Sequence, residues 1–165
     1  IFNILGPLTN PAGAENQLLG VFHPDLVGIQ ARVLQQLGSR HVMVVNGCDG
    51  LDEITLSGET RVAELKHGQV SEFVIRPSQL GVAECSLDEV KALDADNSAA
   101  MLLSVLENQP GPARDIVLLN AGAAIYVAGV AHSLETGIER ARDALSSGAA
   151  LLKLRQLIEF SQQAA

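Results

Sequence analysis

A strand-helix-strand pattern near the start of the chain most constrains the fold. The apolar residues 17–22 predict a short buried strand, and Pro24 and Asp25 then give a helix-start signal. Apolar positions recur at helical spacing up to Gly38, and a second apolar run, residues 41–45, follows. A strand, a helix and a strand within about 30 residues have the size of a parallel crossover unit. The pattern therefore predicts two parallel strands joined by a helix.

A loop rich in glycine and carboxylates follows the second of these strands. Residues 46–53 read Asn-Gly-Cys-Asp-Gly-Leu-Asp-Glu, so Asp52 and Glu53 are adjacent. Ligands of open parallel sheets bind outside the carboxyl ends of the strands, and this loop leaves from that edge. Mg²⁺ is usually held by one or two carboxylates together with substrate phosphates. Asp52 and Glu53 are therefore candidate Mg²⁺ ligands, and the alternative is that they and Asp49 are solvated turn residues.

The composition favours an α/β fold. The 165 residues are 47% hydrophobic and contain few aromatic side chains, which is typical of aliphatic helices packed on a parallel sheet. The net charge of −8 argues against nucleic acid or an anionic membrane as a partner. We expect no membrane span, because the nearly apolar residues 116–131 fall short of the roughly 20 that a span requires. Cys48 and Cys85 form no CxxC motif, which fits a reducing cytoplasm.

The remaining segments predict a hairpin and several helices. Residues 60–66 and 69–75 alternate polar and apolar around a His-Gly turn, which predicts a β-hairpin at an edge of the sheet with a structural role. Ser86 and Glu89 have the spacing of a capping box and predict a short helix. Further helices are predicted over residues 97–106, 113–131, 134–145 and 149–160. The small residues of the 113–131 segment would let that helix lie close to neighbouring backbone.

Two polar side chains with ligand-binding chemistry are interpreted as structural. His23 stands next to Pro-Asp at a helix start, where it can cap the helix or face solvent. Asn120 lies within an apolar helix and is interpreted as a hydrogen-bonded core residue. The GxGxxG, GxxxxGK[ST] and GxSxG motifs are absent from the sequence. Nicotinamide oxidoreductases, P-loop NTPases and α/β-hydrolases thus lose their usual sequence support.

Three motifs, in this order and spacing, resemble the anthranilate phosphoribosyltransferase family. They are IFNILGPLTNPA at residues 1–12, DGLDE at residues 49–53 and LLNAGAAIYVAG at residues 118–129. The resemblance implies transfer of a 5-phosphoribosyl group from phosphoribosyl pyrophosphate to the amine of anthranilate, with release of pyrophosphate, in tryptophan biosynthesis. Two other classes stay open, namely an enzyme similar to pyrimidine nucleoside phosphorylase and a non-catalytic α/β binding module.

The resemblance also implies an architecture and a set of site residues. Asp52 and Glu53 would bind the Mg²⁺ that engages the pyrophosphate, and Gly6 and Pro7 would line the anthranilate tunnel. The fold would be a partial parallel sheet with a mixed edge, flanked by helices, as part of a phosphoribosyltransferase or nucleoside phosphorylase type of catalytic domain. The complete enzyme would be a cytoplasmic homodimer.

The resemblance covers about the C-terminal half of the sequences of that family. In the family, the helical dimerisation domain, the glycine-rich phosphoribosyl pyrophosphate loop and the substrate-binding Asn, His and Arg positions lie upstream of the GPLTNP motif. We therefore expect residues 1–165 to form the C-terminal part of the α/β catalytic domain. We also expect these residues to be inactive by themselves, because a diphosphate needs N–H donors as well as metal-bound carboxylates.

Overall fold

Four strands of the computed structural model, which describes residues 2–163, form one mixed sheet. In spatial order they are β1 (Asn16–Gly20), β2 (His41–Gly47), β3 (Thr60–Lys66) and β4 (Gln69–Ile75). β1 and β2 are parallel, whereas β3 is antiparallel to both β2 and β4. The predicted parallel pair, the edge hairpin and the α/β fold class are confirmed.

Helices connect and cover these strands. They are α1 (Phe2–Leu5), α2 (Asp25–Gln36), α3 (Ala95–Leu106), α4 (Pro112–Val127), α5 (Leu134–Ser146) and α6 (Ala149–Gln163). Short 3₁₀ helices span Gly6–Thr9, Pro77–Leu80 and Leu87–Val90. Helix α2 links β1 to β2, as the sequence predicts. Across residues 2–163, no helix is both long and apolar enough to cross a membrane.

The central strand β2 is buried on both faces. Val42 and Val44 pack into a core beneath α2, and Met43 and Val45 pack into a second core beneath α4 and α5. Each of these four side chains is at most 1% exposed. Because neither face meets water over residues 42–45, this part of the strand is a continuous apolar run and does not alternate with polar residues.

Helices α4 and α5 approach each other through two glycines. A Cβ atom on Gly137 would overlap the carbonyl oxygen of Gly122. A Cβ atom on Gly122 would in turn lie 2.7 Å from the backbone nitrogen of Ile138. The prediction that small residues let α4 lie close to neighbouring backbone is therefore confirmed.

The end of α4 differs from the predicted end of the 113–131 helix. The helix stops at Val127, and Gly129 follows with a φ of 76°. The amides of Gly129 and Val130 donate back to the carbonyls of Tyr126 and Ile125 at 2.9 and 3.2 Å. These bonds satisfy carbonyls of the last turn in the way a left-handed glycine cap does, so Gly129 ends the helix.

Two other predicted boundaries are also wrong. The Ser86 region forms only the 3₁₀ turn Leu87–Val90, in which the Ser86 hydroxyl accepts from the amide of Asp88 at 3.2 Å. Strand β1 ends at Gly20, and Phe22, predicted as its last residue, is 54% exposed.

The glycine contact between α4 and α5 predicts an effect on stability. In the full-length source polypeptide, Gly137→Ala should lower the free energy of unfolding by about 1–3 kcal/mol, because the new methyl group overlaps rigid backbone. Gly28→Ala in α2 is the matched control, since its methyl group would meet only the side-chain ends of Glu72 and Arg32. It should be neutral or stabilising by up to about 1 kcal/mol. Equal losses in denaturant unfolding would contradict the assigned contact.

Candidate functional site

The loop between β2 and β3 carries Asp52 and Glu53 at the carboxyl end of the parallel strands. Both residues lie at the surface, where the carboxyl group of Glu53 is still partly shielded from water by its surroundings. The loop lies directly over the end of β1, because a Cβ atom on Gly20 would overlap the backbone carbonyl of Asp52. The predicted location of the two carboxylates at this edge is therefore confirmed, and a side chain at position 20 would displace them.

Asp49 organises the first half of the loop. Its Oδ1 accepts from the amide of Leu51 at 3.1 Å, and its Oδ2 accepts from the hydroxyls of Thr55, at 2.5 Å, and Ser57. The amide of Gly47 closes the turn onto the carbonyl of Leu51 at 2.8 Å. Asp49 is thus an internal hydrogen-bond acceptor of the loop, a role that its Asp-Gly pattern did not distinguish from a solvated turn.

These hydrogen bonds also set the ionisation of Asp49. Partial burial raises the pKa of this carboxyl group, but the hydrogen bonds from Ser57, Thr55 and Leu51 outweigh burial and lower the pKa below its usual value. A carboxylate held ionised by its own loop has little free acceptor capacity for a metal ion. The candidate metal ligands are therefore Asp52 and Glu53 and not Asp49.

Two side chains from neighbouring elements hold the second half of the loop. Asn120 of α4 binds both backbone groups of Ile54, the residue that follows Glu53. The hydroxyl of Thr60 at the start of β3 accepts from the amide of Thr55 at 3.1 Å. The interpretation of Asn120 as a hydrogen-bonded structural residue is confirmed, and its partner is the loop itself.

The electrostatics of the carboxylate pair suit a divalent cation. Partial burial and the neighbouring charge of Asp52 raise the pKa of Glu53 above its usual value. A bound cation would relieve this repulsion. Among residues 2–163, the structure contains no group of three or more His, Cys, Asp or Glu side chains arranged to hold a metal. Two carboxylate oxygen donors with the rest of the coordination sphere open fit Mg²⁺, which usually keeps water and phosphate ligands.

Gly6 and Pro7 begin the 3₁₀ helix Gly6–Thr9, beside α2. Gly6 is exposed and Pro7 is partly buried. The chain is held there by the carbonyl of Ile4, which accepts from the side chain of Gln30 at 3.4 Å, and by packing of Leu8 against the core beneath α2. Within the described part of the chain, no hydrogen bond joins Gly6 or Pro7 to Asp52 or Glu53. The predicted tunnel contact of Gly6 and Pro7 stays a prediction.

The side chain of His23 caps the start of α2. Its Nδ1 accepts from the amide of Asp25 at 3.2 Å, and the side chain is 56% exposed. The interpretation of His23 as a helix-start residue is confirmed. A ligand role is not required to explain its position.

A second polar cluster lies at the opposite edge of the sheet. Glu64 accepts from Tyr126 at 2.7 Å and pairs with His41 at 2.9 Å, and Lys66 donates to the hydroxyl of Tyr126 at 2.8 Å. Three of these residues border a cleft of about 720 Å³. The sequence pattern indicated only a structural role for the hairpin and did not predict this cluster. His41 and Lys66 are far apart in the sequence, and the pairing of β2 with β3 brings them together.

Comparison with known proteins assigns the chain to a family. A family model described as the glycosyl transferase family, a/b domain, matches residues 1–151, and the chain belongs to this family. The chain is similar to the anthranilate phosphoribosyltransferase of Laribacter hongkongensis, at 66% identity over 165 residues, covering 100% of this chain and 48% of the relative. It is also similar to that of Nitrosospira multiformis, at 62% identity over 167 residues, covering 99% of this chain and 48% of the relative.

Solved structures of similar proteins agree with the fold. The anthranilate phosphoribosyltransferase from Thermus thermophilus matches with a TM-score of 0.88 and 39% identity, over 96% of this chain and 47% of that chain. The enzyme from Saccharomyces cerevisiae in complex with PRPP and Mg matches with a TM-score of 0.83 and 28% identity, over 96% of this chain and 46% of that chain. The resemblance is confirmed, and the chain spans about half the length of the curated relatives it matches.

The role of Asp49 predicts a pH-dependent change in stability. Because the folded-state pKa of Asp49 is lowered, its ionised form stabilises the fold at neutral pH, and this contribution is lost as the pH falls below the unfolded value of 3.8. Asp49→Asn in the full-length source polypeptide should lower the free energy of unfolding at pH 7 by about 1 kcal/mol and flatten the acid limb of the stability curve. The control is Asp143→Asn on the exposed face of α5. An acid limb unchanged from the parent would disprove the role.

Proposed function

We propose that the complete polypeptide transfers the phosphoribosyl group of phosphoribosyl pyrophosphate to the amine of anthranilate, releasing pyrophosphate, in tryptophan biosynthesis. The observation that carries the proposal is the Asp52–Glu53 pair, placed at the carboxyl edge of the sheet in a chain of this family. Its support includes the 66% identity to a protein named anthranilate phosphoribosyltransferase. Related solved structures described with PRPP and Mg, and with 4-fluoroanthranilate, support the substrate classes.

The chemistry of such a transfer explains the part that the paired carboxylates would play. Breaking the bond between ribose C1 and pyrophosphate builds positive charge on the sugar and negative charge on the leaving oxygens. Mg²⁺, when bound, neutralises those oxygens and so stabilises the transition state. Asp52 and Glu53 would hold and orient the ion from one side and leave its other positions to water and diphosphate. The amine of anthranilate is itself the nucleophile, so no Ser, Cys or Lys of the protein needs activation.

The carboxylate pair is only one part of the proposed site. We propose that the upstream half of the complete polypeptide supplies the glycine-rich loop for the diphosphate and a helical domain for homodimerisation. Gly6 and Pro7 would form part of the wall that contacts anthranilate. A cytoplasmic location follows from the substrates of the proposed reaction.

The decisive assay follows loss of anthranilate fluorescence by the full-length polypeptide with phosphoribosyl pyrophosphate and Mg²⁺. Turnover that depends on all three components is the result expected of the proposed transferase. Phosphorolysis of pyrimidine nucleosides, or binding without turnover, would replace the proposal by one of its alternatives.

The metal assignment predicts the effect of removing each carboxylate. In the full-length polypeptide, Asp52→Ala and Glu53→Ala should each raise the Mg²⁺ concentration needed for half-maximal activity by about 10-fold or more, because each removes an oxygen ligand or the group that orients one. Asp49→Ala should instead act mainly on stability. Glu107→Ala, an exposed carboxylate after α3, serves as the control. Parent-like Mg²⁺ titrations for the Asp52 and Glu53 variants would remove them from the metal site.

The acceptor assignment predicts a substrate-specific effect at Pro7. Pro7→Phe in the full-length polypeptide should raise the KM for anthranilate several-fold and leave the KM for phosphoribosyl pyrophosphate nearly unchanged, because a tunnel wall contacts the aromatic ring and not the diphosphate. Pro110→Phe, in the loop before α4, is the matched control. If both KM values rise together for Pro7→Phe, the segment acts through folding and not through the acceptor pocket.

A further inference from the structure

We infer that Asn120 is a positioning residue for the Asp52–Glu53 pair, acting from α4 through the backbone of Ile54. The hydrogen bonds of Asn120 go to backbone groups and not to either carboxylate. They fix the peptide group that joins Glu53 to the next residue. The kinetic part of this inference rests on the proposed function, whereas its structural part does not.

The amide of Asn120 makes three hydrogen bonds that leave only one orientation for it. Its Oδ1 accepts from the amide of Ile54 at 2.9 Å. Its Nδ2 donates to the carbonyl of Ile54 and to the carbonyl of Ile116, both at 3.0 Å. One N–H and two C=O partners match the single acceptor and the two donor hydrogens that the side chain uses here. The side chain thus binds both backbone groups of Ile54, as a neighbouring strand would.

Fixing Ile54 also fixes Glu53. The peptide group is planar, so the hydrogen bond to the amide of Ile54 sets the plane that contains the carbonyl and the Cα atom of Glu53. The side chain of Ile54 is 1% exposed and packs in the core with Leu118 and Leu119 of α4. The loop is therefore attached to α4 by an apolar contact and by the amide directly behind the carboxylate pair.

Contact with β1 restrains Asp52, the other residue of the carboxylate pair. The carbonyl of Asp52 lies where a Cβ atom of Gly20 would be, so the loop backbone cannot move further toward β1. Two adjacent carboxylates repel each other, and an unrestrained loop would relax by separating them. Near-octahedral Mg²⁺ tolerates such movement poorly. Asn120 opposes this movement from the α4 side, which explains an Asn in the interior of a helix, where Ala has the higher helix propensity.

Two substitutions separate positioning from general stability. Asn120→Asp keeps the acceptor for the amide of Ile54 but places an oxygen against the carbonyls of Ile54 and Ile116. Asn120→Ala removes all three hydrogen bonds and favours the helix. Leu34→Val is the control for destabilisation, because Leu34 is 1% exposed and lies in the other core, beneath α2.

The first measurement uses the full-length source polypeptide with Mg²⁺, phosphoribosyl pyrophosphate and anthranilate. Both Asn120 variants should raise the Mg²⁺ activation constant by about 10-fold or more, within the range for residues that orient metal ligands, while the KM for anthranilate changes less than about 2-fold. Leu34→Val should have the same Mg²⁺ activation constant as the parent, even where it lowers the thermal stability. Asn120 variants that lose stability yet keep the parent Mg²⁺ constant would overturn the inference.

The second measurement does not depend on the proposed reaction. Hydrogen exchange at the amide of Ile54 should accelerate in Asn120→Ala more than in Asn120→Asp, while the amide of Val44 in β2 exchanges as in the parent. Calorimetry with Mg²⁺ and pyrophosphate should show weaker binding by both variants. A parent that binds Mg²⁺ and pyrophosphate without transferring phosphoribosyl would refute the proposed function and leave the positioning role supported. Unchanged exchange at Ile54 would overturn the positioning role whatever the activity.

Discussion

Burial of β2 on both faces determines where the acidic loop can lie. Val42 and Val44 are enclosed by α2 on one side, and Met43 and Val45 by α4 and α5 on the other. A one-residue slip would exchange the side chains packed beneath α2 with those packed beneath α4 and α5, and two close-packed cores that fit different side chains oppose that exchange. The end of the strand is therefore fixed relative to both helix layers. The contacts that shape the loop, from β1 on one side to α4 on the other, depend on that fixed starting point.

Asp49 and Glu53, two carboxylates of this loop, have different surroundings. Asp49 is held by hydroxyl and amide donors from within the loop, which lowers its pKa, whereas Glu53 lies beside another carboxylate, and partial burial together with that charge raises its pKa. The two directions have different causes, because burial and a like charge disfavour the ionised form of Glu53, whereas hydrogen-bond donors stabilise the ionised form of Asp49. Under the proposed function, a chain of net charge −8 would accommodate an anionic diphosphate through a metal ion that stands between the carboxylates and the diphosphate.

The sequence predicted the elements better than it predicted their limits or their contacts. Strand-helix-strand spacing and the hairpin around His67 are local patterns, and both are confirmed. The end of α4 depends on the left-handed conformation of Gly129, which a run of small apolar residues does not reveal. The edge location of Asp52 and Glu53 followed from strand direction alone. The internal role of Asp49 did not, because its hydroxyl partners in the second half of the loop matter only once the loop is folded.

The LLNAGAA segment of helix α4 makes two different contacts, one with α5 and one with the loop between β2 and β3. Asn120 and Gly122 are two residues apart, so they point to different sides of the helix. Gly122 removes a side chain where α5 approaches, and Asn120 adds an amide where the loop approaches. A core helix that must meet an apolar neighbour and an irregular backbone segment needs both, because backbone N–H and C=O groups buried against it have to be hydrogen-bonded. The LLNAGAA segment therefore links the packing of the domain to the placement of the carboxylate pair, and α4 is the element through which a change in the core would reach the site.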